Sequence, residues 1–174
     1  MNKTITIFGT SKANPGDEIF ETAKALGNAL AEQGFAIANG GYNGTMLASA
    51  KGATAAGGKT IGVTCTAFGR KGPNKYIEKN LSTDSLPQRL QKLIELGDAY
   101  IVLPGGTGTL LELAEVWELK NKHFINPTKP IILLGDFWKP LLDTVASADE
   151  KSLDCVTIAN SPGQAVEIIK NALT

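Results

Sequence analysis

Short β-branched runs alternate with helical stretches along this chain, and that alternation restricts its possible folds more than any other feature. The runs are TITIFG at 4–9, FAIANGG at 35–41, KTIGVTC at 59–65, AYIVLPGG at 99–106, KPIILLG at 129–135 and a weaker CVTIAN at 155–160. Continuous apolar strands separated by helices are the pattern of a parallel sheet covered on both faces. After the first run, DEIFETAKALGNALAEQG spaces Ile19, Ala23, Leu26 and Leu30 at three- and four-residue intervals and stops at Gly34, as an amphipathic helix does. GTMLASAKGATAAGG reads as a helix of small residues suited to lying close against the sheet. STDSLPQRLQKLIELGD opens with capping candidates, admits Pro87 in a first turn and places Leu90, Leu93 and Ile94 on one face. Right-handed crossovers then predict an α/β, Rossmann-like doubly wound sandwich, a parallel sheet with helices on both faces, as a single domain over residues 1–174.

Composition agrees with one globular domain: 174 residues, 43% hydrophobic, 20% charged, 6% aromatic. Seventeen basic and seventeen acidic side chains leave no net charge, so no overall field draws the protein to nucleic acid or to an anionic membrane, and any anion must be held locally. The N-terminus lacks a secretory pattern and no apolar stretch approaches the ~20 residues that span a bilayer; a cytoplasmic protein is expected. Cys65, Cys155 and the single histidine make neither a disulfide framework nor a zinc site. Both cysteines read as structural thiols, and neither a metal nor a cofactor is expected. The long irregular segment at 66–80, TAFGRKGPNKYIEKN, sets Arg70, Lys71, Lys75 and Lys79 against Glu78. Connections of that length are often functional, although a solvated loop is the plainer account of its charges.

In open α/β sheets ligands collect beyond the carboxyl ends of the strands. Three glycine-bearing turns fall there: FGTSK with Gly9, Thr10 and Ser11, NGGYNGTM with Gly40 and Gly41, and PGGTGT with Gly105, Gly106, Thr107, Gly108 and Thr109. In the last, a bare backbone, unpaired N–H groups, the helix dipole and two hydroxyls suit a phosphate. A tight strand-to-helix turn explains the same glycines without a ligand. There is no Gly-x-x-x-x-Gly-Lys-Ser/Thr string, and Leu111 stands where the dinucleotide fingerprint needs its third glycine; P-loop hydrolysis and nicotinamide chemistry are unsupported.

Glu112, Glu115 and Glu118 follow at three-residue spacing, with Glu112 about one helical turn, ~5.4 Å of rise, beyond the glycines. One reading is a solvated acidic first turn favoured by the dipole. The other sets Glu112 against a ligand held by the turn. A carboxylate beside a phosphate is repelled unless a sugar or base lies between them, so this second reading implies a phosphosugar or nucleotide.

PGGTGTLLE, Pro104 to Glu112, resembles the PGGxGTxxE motif of the LOG family, the cytokinin-activating phosphoribohydrolases often labelled lysine decarboxylases. The resemblance extends through ITIFGTSK, LGNALAEQGFAIANGGYNGTM and AAGGKTIGV, and Arg89 in QRLQKLIELGDAYIVLPGG falls at the arginine of the family's Arg-Lys pair. It implies hydrolysis of the N-glycosidic bond of a nucleoside 5′-monophosphate, to free base and ribose 5-phosphate, in a homodimer with the site near the subunit boundary. It also implies that Gly105, Gly106, Gly108 and Thr109 hold the phosphate and that Arg89 and Glu112 are catalytic, with Glu115 at a recurrent acidic position. Independently, cleavage of a C1′–N bond builds an oxocarbenium-like charge that a carboxylate stabilises, and a guanidinium suits phosphate or ribose oxygens. Arg89 on its own also reads as a surface helix arginine.

The chain departs from the family pattern at Leu90, where lysine is expected, and at Asn39, Thr45 and Leu47 in the second glycine turn. AMP or another purine monophosphate is therefore as fair a candidate as a cytokinin nucleotide. The alternative from a different class is a non-catalytic nucleotide- or cofactor-binding protein resembling the molybdenum cofactor carrier proteins. An interaction domain with structural glycines is a third. Trp117 and Trp138 are expected to pack, His123 to sit at a helix C-terminus, and Asp98 to orient the start of the fourth run.

Overall fold

A computed structural model describes residues 3–173. Seven parallel strands form one sheet in the order β4-β3-β2-β1-β5-β6-β7: β1 Thr4–Phe8, β2 Ala36–Asn39, β3 Thr60–Cys65, β4 Lys79–Thr83, β5 Ala99–Val102, β6 Ile131–Leu134 and β7 Thr157–Ala159. The helices are α1 Glu18–Glu32, α2 Thr45–Ala55, α3 Leu86–Leu96, α4 Thr107–Asn121, α5 Lys139–Ala146 and α6 Pro162–Leu173. The doubly wound parallel sandwich expected from the alternation is the observed architecture.

Strand side chains alternate between two cores. Ile5, Ile7, Ile101, Leu103, Ile132 and Leu134 face Phe20 of α1, Ala48 of α2 and Val166 of α6. Phe8, Tyr100, Val102, Ile131 and Leu133 face Leu93 of α3, Leu113 and Val116 of α4, and Trp138. Both sheet faces are thus covered, as an all-parallel sheet requires. The small residues of α2 serve a closer contact than the sheet: a Cβ on Gly27 of α1 would overlap the Ser49 carbonyl, and one on Gly52 would overlap that of Lys24. The two helix backbones touch, and any side chain at either glycine would force them apart.

Strand β4 corrects the sequence reading. Lys79–Thr83 spans the end of the tract read as irregular and the start of the one read as a helix opening. KNLST has no apolar run because β4 pairs only with β3 and lies at the sheet edge, where its residues are exposed or half-buried. Helix α3 accordingly starts later, capped by the Ser85 hydroxyl, which accepts from the Gln88 N–H, with Pro87 in its first turn. Asp98 orients β5 as expected: its carboxylate accepts the Thr4 N–H at 2.9 Å and pairs with Lys3 at 3.1 Å. No helix among the described residues is long and apolar enough to cross a membrane.

Strand order reverses between β1 and β5, since β2 lies on one side of β1 and β5 on the other. That switch point opens a crevice above the strand ends, between the turns that follow them.

Candidate functional site

The crevice is a cavity of about 400 Å³. Gly9, Thr10, Ser11 and Lys12 line it after β1, Gly40 and Tyr42 after β2, and Gly106, Thr107, Gly108 and Thr109 at the start of α4; Arg89 and Glu112 form its inner wall.

Helix α4 is built to leave donors open. Its N-cap, Gly106, has no side chain to accept from the first turn, and the first N–H taken up within the helix is that of Leu110, by the Gly106 carbonyl. The N–H groups of Thr107, Gly108 and Thr109 therefore face the cavity without an intrahelical acceptor. Gly105 does not line the cavity; a Cβ there would overlap the Thr109 hydroxyl, so its bareness sets that buried hydroxyl in place.

Glu112 is not part of a solvated acidic turn. Thr109, Glu112, Leu113, Val116 and Trp117 form the buried stripe of α4, and the Glu112 residue retains 9% exposure. Its Oε1 accepts from Arg89 Nη1 at 3.3 Å. Arg89, at 6% exposure, donates through Nε to the Val63 carbonyl at 2.9 Å and so is anchored to β3. The plain reading of Arg89 as a surface arginine fails with that burial. Desolvation raises the Glu112 carboxyl from the ordinary carboxylate range to about 7, while the Arg89 charge and hydrogen bond pull the other way. Burial dominates because a single Arg89 N–H reaches the carboxylate; the guanidinium spends Nε on a carbonyl.

Gly40 makes room for this arrangement. A Cβ on Gly40 would overlap Arg89 Nη2, so the glycine after β2 is required by the arginine. Gly41, by contrast, faces away from the cavity: its N–H donates to Asn39 Oδ1 at 2.8 Å and its carbonyl accepts from Asn74. Glu115 also lies outside the cavity lining, half-buried, with its carboxyl raised by desolvation. Gly41, Gly105 and Glu115 are thus the expected site residues that do not line the crevice.

The departures in the second turn knit the loops together. Asn39 Nδ2 donates to the Met46 carbonyl at 3.0 Å and to Ser49 Oγ at 3.1 Å. Thr45 donates through both N–H and hydroxyl to the Thr10 carbonyl. Leu90, in the lysine position, is buried and lines the cavity.

Several lining residues carry no sequence signal. Tyr42, Met46, Phe68, Leu86 and Leu111 add apolar and aromatic lining to the cavity, and Arg70 lies 5.0 Å from the Tyr42 ring centroid. Tyr42 is fixed by its hydroxyl, which accepts from the Cys65 N–H at 2.8 Å and donates to the Cys65 carbonyl at 3.1 Å. These residues come from separate turns that only the fold assembles. Arg70 is exposed in its loop, as the solvated reading expects, and also lies near the Tyr42 and Phe68 rings at the cavity mouth. His123 and the tryptophans lie apart from the cavity lining, with Trp117 Nε1 donating to Ser152 and Trp138 Nε1 to Leu103. No cluster of three or more His, Cys, Asp or Glu suited to a metal occurs among the described residues.

Residues 46–170 match the family described as "Possible lysine decarboxylase". A cytokinin riboside 5′-monophosphate phosphoribohydrolase of Rhodococcoides fascians is 33% identical over 152 residues, covering 84% of this chain and 75% of that protein. One of the same name from Mycobacterium tuberculosis is 35% identical over 123 residues, covering 70% and 64%. Among solved structures, the molybdenum cofactor binding protein from Rippkaea orientalis superposes with a TM-score of 0.82 at 28% identity, covering 100% of this chain and 99% of its own. The molybdenum cofactor carrier protein from Chlamydomonas reinhardtii gives 0.78 at 25% identity, with 99% of each chain covered.

Proposed function

The chain belongs to the LOG family of proteins described as possible lysine decarboxylases, and on that premise we propose that it hydrolyses the N-glycosidic bond of a purine nucleoside 5′-monophosphate. Water adds to C1′ and gives a proton to Glu112, the C1′–N bond breaks with its electron pair going to the base, and that proton passes to the base nitrogen as free base and ribose 5-phosphate leave. The observation that carries this reading is the buried Arg89–Glu112 pair in the cavity wall, one helical turn beyond the open N–H groups of α4.

The 5′-phosphate accepts from Thr107, Gly108 and Thr109, with Ser11, Thr10 and Lys12 on the facing turn. The pentose then lies against Glu112. Its carboxylate stabilises the positive charge that develops on the ring and takes a proton from the attacking water. Arg89 holds that carboxylate in the wall, and its remaining N–H groups are available to ribose oxygens. The base occupies the apolar end formed by Tyr42, Phe68, Leu86 and Leu111. A purine ring suits that end.

Incubation with a panel of nucleoside monophosphates, followed by chromatography of the products, tests this. Wild type is expected to release base from at least one purine monophosphate, and Glu112→Gln to bind that nucleotide without releasing base. Silence of the wild type across the panel would overturn the hydrolase.

A carrier of a phosphorylated cofactor is the second reading, favoured by the full-length likeness to the molybdenum cofactor proteins and by Leu90 in the lysine position. It predicts saturable binding without turnover. Either protein is proposed to act as a homodimer: α4 is apolar on its outer side as well, with Leu110 and Leu111 exposed at 37% and 42%, and Leu111 also lines the cavity. Light scattering is expected to give twice the chain mass, and Leu110→Lys to give the monomer.

A further inference from the structure

The crevice does not end at Tyr42. A second hollow of about 470 Å³ opens beyond that ring, sharing Ser11, Tyr42 and Arg70 with the first and adding Asn43, Lys71 and Asn74. Its lining holds two cations and no carboxylate. Among the described residues neither Arg70 nor Lys71 belongs to an ion pair.

One side of the hollow is fixed by hydrogen bonds. The Asn74 N–H donates to the Gly41 carbonyl at 2.7 Å, and Asn74 Nδ2 donates to the Tyr42 carbonyl at 2.8 Å. With the Tyr42 hydroxyl bonded to Cys65 at the other end, the connection from β3 to β4 is fastened to the turn after β2 at two places. Between them the Arg70 guanidinium lies 5.0 Å from the Tyr42 ring centroid and 5.8 Å from that of Phe68. Both distances are within cation–π range, and no carboxylate in the lining competes for the guanidinium.

Strand order gives the direction of that ligand. The ends of β5, β1, β2 and β3 lie side by side in that sequence, each about 4.8 Å from the next. A phosphate at α4 sits beyond β5, a pentose at Glu112 comes next, and the base reaches Tyr42 beyond β2, about 10 Å further across the sheet. Any substituent on the outer edge of the base then points at Arg70 and Lys71.

We propose that this second hollow is an anion-accepting subsite for the base end of the ligand, so that the preferred nucleotide carries a negatively charged group on the base edge away from the ribose. The proposal rests on the hydrolase reading above for the placement of the phosphate. Carboxylate or phosphate oxygens on that edge meet Arg70, Lys71 and Asn43 as donors. An apolar tail on the same edge would desolvate two cations without compensation.

Calorimetry on Glu112→Gln, which removes turnover, with three purine 5′-monophosphates tests the subsite: AMP, N6-isopentenyl-AMP and N6-(1,2-dicarboxyethyl)-AMP. The dicarboxylate is expected to bind at least about tenfold more tightly than AMP. Lys71→Gln is expected to remove most of that advantage while AMP affinity holds, and Lys71→Arg to restore it. Equal binding of all three, tighter binding of the isopentenyl compound, or an advantage that survives Lys71→Gln together with Arg70→Gln overturns the subsite and leaves the hydrolase reading standing. Failure of every nucleotide to bind overturns both.

Discussion

Two of the clefts above the carboxyl ends of the sheet have a helix start on the rim. The first, at β1 and β5, holds the start of α4. The second, a hollow of about 530 Å³ at β5 to β7, is lined by Glu18, Ile19, Thr22, Leu103, Leu134, Asn160, Ser161 and Pro162, with the start of α6. They differ in what their helices do with the backbone donors. Helix α6 begins at Pro162, which has no N–H, and Ser161 accepts from Gln164 at 3.2 Å through its hydroxyl and from Ala165 at 3.0 Å through its carbonyl, so that Gly163 is left as one open donor against three in α4. Helix α4 begins after a glycine and leaves its first donors open. The second cleft holds no buried charge pair, whereas Arg89 and Glu112 stand in the wall of the first. Size and position above the sheet are common to both clefts; a closed helix start marks a structural end, and an open one beside a buried ion pair marks a place prepared for a ligand.

That difference can be broken from either side. The largest effect is expected from Arg89→Ala, which strands the Glu112 carboxyl in the wall: base release falls by about 10²-fold or more. Ser161→Ala leaves release unchanged, and one chromatographic assay of both variants reads the contrast. Next comes the open helix start. A Cβ at Gly106 meets nothing within 4 Å, so Gly106→Asp is accommodated. Its carboxylate occupies the anion position and caps the helix; nucleotide affinity is expected to fall by about tenfold or more by calorimetry, with no loss of thermal stability.

The third effect is a pH dependence of stability. The Glu112 carboxyl is raised in the folded state to about 7 from an ordinary 4.5, so its protonated form fits the fold better than its charged form. Its contribution to stability is complete below pH 4.5 and is lost as pH rises through about 7. By linkage the loss is on the order of 3 kcal/mol. Denaturant titration of wild type against Glu112→Gln is expected to show the wild type losing stability relative to the variant across that window; a difference independent of pH would contradict the burial assigned to this group. The smallest effect is at the closed helix start: Ser161→Ala is expected to cost about 1 kcal/mol of stability.

How far the sequence discloses this site depends on how locally each part is written. Five of the six apolar runs announce strands buried on both faces, and the weaker CVTIAN announces β7, an edge strand with Thr157 exposed. β4 is silent because an edge strand with half-exposed residues needs no apolar run. The three-residue spacing of the glutamates leaves Glu112 undecided, and it is the burial of Thr109, Leu113, Val116 and Trp117 that puts Glu112 inside an apolar face. The partnership of Arg89 with Gly40 was not legible, since it depends on β2 and α3 meeting above β3, forty-nine positions of chain apart at about that order. Tyr42, Phe68 and Arg70 were hidden for the same reason. The substitutions Asn39 and Thr45, which look like losses against the family pattern, supply hydrogen bonds within the second turn and from it to the first.

The central claim is that the open start of α4 holds a phosphoryl group and so sets Glu112 against the attached pentose. A crystal structure of Glu112→Gln with a purine nucleoside 5′-monophosphate tests it most directly. The account predicts the phosphate within hydrogen-bonding distance of the Thr107, Gly108 and Thr109 N–H groups and the anomeric carbon facing residue 112. A phosphate seated in the cleft at β5 to β7, or a pentose turned away from residue 112, would contradict it.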